Sequence, residues 1–517
     1  MPTLRFFVEA LVSGHIDLSV SFGKPQPQPA VRERDSGRAR ILVLGDFAAQ
    51  AGDRSRPVAE RRPVQIDVDN FDEVLSRLAP RVAAQVAGAN SRSAIEFRSL
   101  DDFHPDHLYR TLPAFAALRD LRQRLIDPKT FHEAAEALRS VVPTPPRQQV
   151  DAPPPVAGSA NDVVSLGLLP RASDGVASAS SAAGGDEFHE WINQLLSPYL
   201  VPAADPSQAA YLASIDEAIT GLMRHVLHDP SFQALEAAWR GLGWLVRSLT
   251  DDEGPHIFVL NVTKSELVAD IDRAGDDLRT SAAFRLLVEE PVSEFGEEPW
   301  SLLVGDYLFG PQPADMKLLA VMGAIASHSG GPLLAAACPQ MIGCQRLGDL
   351  PEPSAWTIDA ESRKRWQALR SSPVAAWLGL ATPRVLLRAP YGSASDPIEE
   401  FAFEEVVGPG KQEDFLWGNP AWACTILAGR SCAHGERLAL SSGLGGELEN
   451  LPIYIYKDAG QSEMMPCAEA RLSDRAAQAI LDCGIIPLVS HKNQDVVGLP
   501  RLRLLADGLN TSSQASS

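Results

Sequence analysis

Several short runs in this 517-residue chain are apolar from end to end rather than at every second position. Residues 40–47 read Arg-Ile-Leu-Val-Leu-Gly-Asp-Phe, residues 256–262 His-Ile-Phe-Val-Leu-Asn-Val, and residues 301–307 Ser-Leu-Leu-Val-Gly-Asp-Tyr. Residues 332–337 and 485–489 follow the same habit. A strand with one wet face alternates polar and apolar side chains, whereas a strand covered on both faces does not. Between the runs lie helical stretches, among them residues 264–274, 315–328 and 473–483. That alternation predicts an α/β fold whose sheet is largely covered by helices. The pairs Gly45-Asp46 and Gly305-Asp306 are expected to turn the chain and end their strands.

The most specific stretch is His228-Asp229-Pro230-Ser231-Phe232-Gln233-Ala234-Leu235-Glu236-Ala237-Ala238-Trp239-Arg240-Gly241-Leu242. Leu235, Trp239 and Leu242 recur at helical spacing and make the buried stripe of an amphipathic helix. Asp229 suits the cap and Pro230 the first turn. Gly241 is costly inside a helix, by about 1 kcal/mol against Ala. Earlier in the chain, residues 70–78 place Phe71, Val74, Leu75 and Leu78 on one helical face.

A chain of this length exceeds one ordinary core, so several domains are expected. Residues 141–185 change character: proline-rich at first, then rich in Ser, Ala and Gly from residue 177. Such a segment cannot bury a core and reads as a flexible linker. The expected division is a domain over 1–140, a linker over 141–187, a second domain over 188–509 and a disordered tail over 510–517. One apolar island, with Val163, Leu166 and Leu169, interrupts the linker as either a partner motif or a stray element.

The formal net charge of −20 argues against nucleic acid or an anionic membrane as the main partner. No apolar run reaches the roughly 18 residues of a membrane span, and the first residues lack the features of a signal peptide. The six cysteines form no Cys-x-x-Cys pair and read as reduced core fillers in a cytoplasmic protein. Gly408-Pro409-Gly410-Lys411 lacks the spacing of a phosphate loop. His104-x-x-His107 has no third ligand nearby. Glu289, Glu290, Glu294, Glu297 and Glu298 read as a solvated face or a subunit-contact surface, and Cys467 has no histidine close by. No residue is singled out as catalytic, cofactor-binding or metal-binding.

Several pieces, in order, resemble the contractile-sheath proteins of bacterial type VI secretion systems. The first part is similar to the small sheath subunit through Arg40-Ile41-Leu42-Val43-Leu44-Gly45-Asp46-Phe47, the run from Pro63 to Leu75, Phe97 to Asp106, and Leu118 to Arg122. The second resembles the large subunit through the His228 stretch, Gly296 to Tyr307, Trp366-x-x-Leu369-Arg370-x-x-Pro373, and Pro383-Arg384-Val385-Leu386-Leu387-Arg388-x-Pro390-Tyr391-Gly392. Phe403-Glu404-Glu405, Leu416-Trp417-Gly418-Asn419 and Gly484-Ile485-Ile486-Pro487-Leu488 complete it.

The resemblance implies a structural, non-enzymatic protein without a cofactor. Small and large subunits pair and polymerise into a tube around an inner tube, and contraction drives a spike through a target membrane. Its implied partners are like sheath subunits, inner-tube and baseplate proteins, and a recycling AAA+ unfoldase that pulls a segment near the start of the large subunit. Val163, Leu166 and Leu169 stand in roughly that place. Here the two parts occupy one chain, which fixes their ratio at one to one and makes a single α/β protomer the expectation. Phe71, Leu75, Trp239, Leu242 and Trp417 are the expected core or interface anchors. The family's large subunits continue past residues 484–488 into a further strand-sharing domain, whereas this chain ends soon after. Shared strands are therefore expected from elsewhere, with residues 3–12 and 15–22 as candidates. The alternative is an accessory protein that caps, nucleates or regulates a sheath without polymerising by itself.

Overall fold

The computed structural model describes residues 6–8, 18–20, 38–49, 56–84, 93–127, 129–141, 208–249, 254–291, 299–348, 352–432 and 445–506. Its principal sheet has seven strands: β1 (Arg40–Gly45), β2 (Val64–Ile66), β3 (His256–Asn261), β4 (Leu302–Phe309), β5 (Leu333–Ala337), β6 (Leu378–Thr382) and β7 (Ile486–Pro487). Their spatial order is β7-β6-β5-β4-β1-β3-β2. All neighbours run parallel except β2, which lies antiparallel on β3 at one edge. The earliest of these strands in the chain thus sits in the interior of the sheet. Ile41 to Leu44 pair with Leu302 to Gly305 on one side, and Arg40 to Gly45 with His256 to Asn261 on the other.

Successive side chains on a strand point to opposite faces. Leu42, Leu44, Phe258, Leu260, Leu303, Leu333, Ala335, Leu378 and Leu380 belong to one continuous core with Met316, Leu319 and Ile325. The intervening Ile41, Val43, Ile257, Val259, Leu302, Val304, Leu334 and Ala336 are equally buried. Both faces are therefore covered, which is why these runs do not alternate.

The described residues fall into two compact units, one within Met1–Ala84, Ser93–Leu112 and Met223–Ser517, the other within Pro113–Leu222. The second unit is helical, from Pro113–Ile126, Phe131–Val141 and the first part of Gln208–Leu227. Arg122 Nε bonds Asp216 Oδ1 at 2.6 Å, and Gln208 Nε2 bonds the Leu125 carbonyl at 2.6 Å, tying its helices together.

In the first unit four helices matter below: α1 (Phe71–Leu78), α2 (Pro230–Leu249), α3 (Pro313–Ser329) and α4 (Ala421–Cys432). α3 and α4 both pack on β4, β5 and β6, and α4 packs along α2. Strand Phe6–Val8 pairs antiparallel with Leu18–Val20. One turn expectation is corrected. The chain leaves β1 at Gly45-Asp46, but β4 runs through Gly305-Asp306 to Phe309. The register against β5 shifts between Val304 and Leu308, so the strand absorbs Gly305-Asp306 as an irregularity instead of ending there. The Asn419 amide bridges the Gly305 and Tyr307 carbonyls, each at 3.3 Å, across this point.

Candidate functional site: the seam around Trp239

α2 begins where Asp229 Oδ1 accepts the amides of Ser231 and Phe232, at 2.9 and 3.1 Å. That cap satisfies donors the first turn would otherwise leave unpaired. From there Phe232, Leu235, Trp239, Leu242, Leu245, Val246 and Leu249 are buried along the helix. The elements they meet come from the N-terminal part of the chain. Trp239 Nε1 donates to the Phe47 carbonyl at 2.9 Å. Its ring stands edge-on to Phe47 and Phe71, with centroids 5.4 and 5.7 Å away. Two turns earlier, Phe232 meets the stacked pair Phe97 and Phe103 edge-on. Gly243 lets α2 approach Leu100 and Phe71: an added Cβ would lie 3.3 Å and 3.4 Å from them.

Polar contacts hold the same seam. Asn261, the last residue of β3, accepts the amides of Phe47 and Ala48 with its side-chain oxygen, at 2.9 and 3.2 Å. The chain leaving β1 therefore keeps its backbone donors satisfied where the ladder stops. Arg61 forks onto Glu266 at 2.6 and 3.0 Å and also donates to the Asn261 carbonyl at 2.8 Å. Glu266 closes the capping box of the helix Lys264–Ala274 with Thr263. Burial works to raise the Glu266 pKa, but the Arg61 fork and the Thr263 bonds outweigh it and lower the value. Arg40 lies over the rings of Phe258 and Trp300, at 4.9 and 4.3 Å.

A second constellation lies on the polar edge of α2. Arg388 reaches both oxygens of Glu236, at 2.7 and 3.3 Å, and both of Glu405, at 2.7 and 3.1 Å. Arg240 bonds Glu236 at 2.7 Å and donates to the Tyr391 hydroxyl at 2.9 Å. The Tyr391 amide donates to Glu405 at 2.8 Å, and Arg388 lies over the Tyr391 ring. Two guanidiniums and two carboxylates balance in charge, as burial demands. Burial alone would raise Glu405, yet the Arg388 charge and the hydrogen bonds it accepts hold its pKa down at about 2. Burial pushes the Tyr391 hydroxyl up to about 12.

This network anchors the irregular segment between β6 and α4. The same segment is held from the N-terminal side by Asp106, whose carboxylate accepts the Glu399 amide at 3.2 Å, and by Tyr109 against Phe401. His104 meets Tyr391 edge-on. An open hollow of about 520 Å³ lies beside it, lined by Arg240, Arg388, Tyr391, Ser395, Leu451 and Asp495 among others. Both of its arginines are already committed to carboxylates, so the hollow offers little unspent charge to a ligand.

The sequence-derived residues fall as follows. Phe71, Leu75, Trp239 and Leu242 are buried, and Phe71 and Trp239 meet at the seam. Trp417 is buried in a separate small cluster with Leu386, Val406 and Phe415. Val163, Leu166 and Leu169 lie outside the described residues. His104 caps the helix Pro105–Thr111 by accepting the Asp106 amide, while His107 faces Asp102, so the two rings hold separate partners. Among the described residues no group of three or more His, Cys, Asp or Glu side chains is placed to hold a metal. Glu290 pairs with Arg62 and Arg285. Cys467 is buried, and burial pushes its thiol up to about 11.

Sequence reasoning did not single out Arg388, Glu236, Glu405, Asn261 or the Arg61–Glu266 pair. A signal existed for one of them, since Glu236 interrupts the apolar stripe of α2 between Leu235 and Trp239.

Comparison with known proteins follows the same division. A family model described as EvpB/VC_A0108, tail sheath N-terminal domain (VipB), matches residues 209–499, more than half of the chain. A second, described as Type VI secretion system, VipA, VC_A0107 or Hcp2, matches residues 39–144. The type VI secretion system sheath protein TssC1 of Pseudomonas aeruginosa is 35% identical over 290 residues, covering 55% of this chain and 58% of that protein. The sheath protein TssB1 of the same organism is 31% identical over 105 residues, covering 19% of this chain and 61% of that protein. The chain thus spans less than two thirds of either curated relative. No helix among the described residues is long and apolar enough to cross a membrane.

Proposed function

Because the chain belongs to the type VI secretion tail-sheath family, we propose that it is a structural component of a contractile sheath, packing with like subunits into a tube around an inner tube whose contraction drives injection. One observation carries this reading. β1, within the stretch matched by the small-subunit model, is hydrogen-bonded on one side to β3 and on the other to β4, both within the stretch matched by the large-subunit model. The two curated relatives are separate sheath proteins. Here both regions complete one sheet within one chain.

On this reading residues 1–140 and 188–509 are the small-like and large-like parts, and residues 141–187 tether them. A tether that spans the gap raises the local concentration of one part around the other to about the millimolar range. Phe71, Leu75, Trp239 and Leu242 anchor the internal interface, and Trp417 anchors the small cluster beside it. The chain acts in the cytoplasm without catalysis, and inner-tube proteins, baseplate proteins and a recycling unfoldase are its further partners.

Negative-stain electron microscopy of the purified full-length chain tests the proposal. Helical tubes are the expected result. Monodisperse particles at all concentrations would overturn self-assembly and favour an accessory protein that binds a sheath made by other chains.

A further inference from the structure

The irregular segment between β6 and α4 carries a loop at residues 406–411, Val-Val-Gly-Pro-Gly-Lys. Val407 is 72% exposed, more than any other large apolar side chain among the described residues. The loop that presents it is held in one shape. Gly408 and Gly410 have φ of 72° and 64°, a region other residues rarely enter. The Tyr454 hydroxyl serves the carbonyls of Val406 and Gly408, at 3.1 and 2.9 Å. A Cβ added at Gly410 would stand 2.6 Å from Val406 Cγ1 and 2.9 Å from Phe415 Cε2, so the loop is folded down on the small cluster around Phe415. A side chain displayed on a preorganised loop gives up little entropy when it docks.

The hollow beside Tyr391 matches this loop in shape and charge. Ala389, Ala394, Leu451, Pro452 and Ile453 give it an apolar wall. Its volume of about 520 Å³ lies in the range of sites that enclose several groups at once, and the loop offers two exposed ones, Val407 and Pro409. Arg240 and Arg388 are matched by Glu236 and Glu405. The remaining charge on the lining is acidic. Asp495 has no ion pair among the described residues, and Asp396 has the His104 ring 3.6 Å away. The loop brings Lys411, exposed and also without an ion pair among the described residues. Glu404 at its base is spent on the Ser393 amide and hydroxyl, at 3.0 and 2.6 Å. A basic apolar loop therefore complements an acid-rimmed apolar hollow.

We propose that the 406–411 loop of one copy docks in the Ile453-lined hollow of the next copy. No residue of the loop lines the hollow of its own chain. A contact between two different patches repeats from copy to copy and builds a ring or an open helix. The inference rests on the sheath reading above for its partner, a second copy of this chain, and names one contact within the tube.

The test uses the full-length chain. Val407→Cys and Ile453→Cys are made separately, mixed and mildly oxidised. A disulfide-linked dimer should form in the mixture and not from either variant alone. A mixture that gives no more linked dimer than its components would overturn the docking. In parallel, Val407→Asp should keep the native urea midpoint, because the side chain is exposed, yet raise the lowest concentration that yields tubes by about tenfold or more. Tubes from Val407→Asp at the native concentration would overturn the docking and leave the sheath reading standing. Linked dimers from a chain that forms no tubes would support the docking and overturn the sheath reading.

Discussion

Gly241→Ala separates two physical arguments that disagree in sign. Gly241 lies in the interior of α2, where replacing glycine by alanine is worth about 1 kcal/mol of helix stability. The packing says otherwise. A Cβ at this position would stand 2.3, 2.6 and 2.7 Å from Nε1, Cε2 and Cδ1 of Trp422. Ordinary carbon contacts lie near 3.5–4.0 Å, so the indole or the helix must move by about 1 Å. Trp422 is fully buried on α4, which is itself packed on β4, β5 and β6, so neither partner has room. Overpacking of this kind costs about 1–3 kcal/mol. The propensity gain of about 1 kcal/mol cancels only the lower end of that range, and a net destabilisation of up to about 2 kcal/mol is expected. Gly243→Ala is the internal control. Its Cβ would meet the flexible end of Arg247 at 3.2 Å and Leu100 at 3.3 Å, so its change should lie close to zero. Trp422→Phe removes the indole nitrogen, which is buried without a hydrogen-bond partner. Combined with Gly241→Ala it should cost less than the sum of the two single changes. Urea unfolding followed by circular dichroism reads all four proteins. A rise in midpoint for Gly241→Ala, of the size seen in an exposed helix, would refute the close approach of α2 and α4.

Three further outcomes follow from the seam. Trp239→Ala deletes the ring between Phe47 and Phe71 and the bond to the Phe47 carbonyl, and should destabilise by about 3–5 kcal/mol in the same assay. Arg388→Met leaves two buried carboxylates with one guanidinium between them, a loss of about 3–5 kcal/mol. Arg388→Lys should recover little of it, because an ammonium cannot fork onto both. Glu405, held at about 2, contributes stability that is present above about pH 4.3 and is lost as pH falls toward 2. In Glu405→Gln the acid-dependent part of the unfolding curve in that window should shrink, and an unchanged acid midpoint would count against the network.

Much of the fold was legible locally. The uninterrupted runs at 40–47, 256–262 and 301–307 carry the burial of both strand faces in their composition. The stripe of Leu235, Trp239 and Leu242 carries the orientation of α2, and Asp229 carries its start. Local signals failed where the answer depended on a distant neighbour. Gly305-Asp306 has the chemistry of a turn, yet the strand passes through it because β5 and the Asn419 amide satisfy the backbone on either side. Arg388 and Glu405 each lie in motif pieces that the sequence marks as distinctive, but nothing in either piece says that they share Glu236 as a partner.

The sequence by itself determined the period of each element, the caps that start them and the family to which the chain belongs, because those depend on residues within a few positions of one another. Tertiary structure alone decided that β1 sits inside the sheet between β3 and β4, and that Gly241 is required by Trp422 and not tolerated in spite of its cost. Strand order and register are set by which surfaces are complementary after the chain has closed long loops. That free energy is a sum over distant pairs, and no local window of sequence contains it.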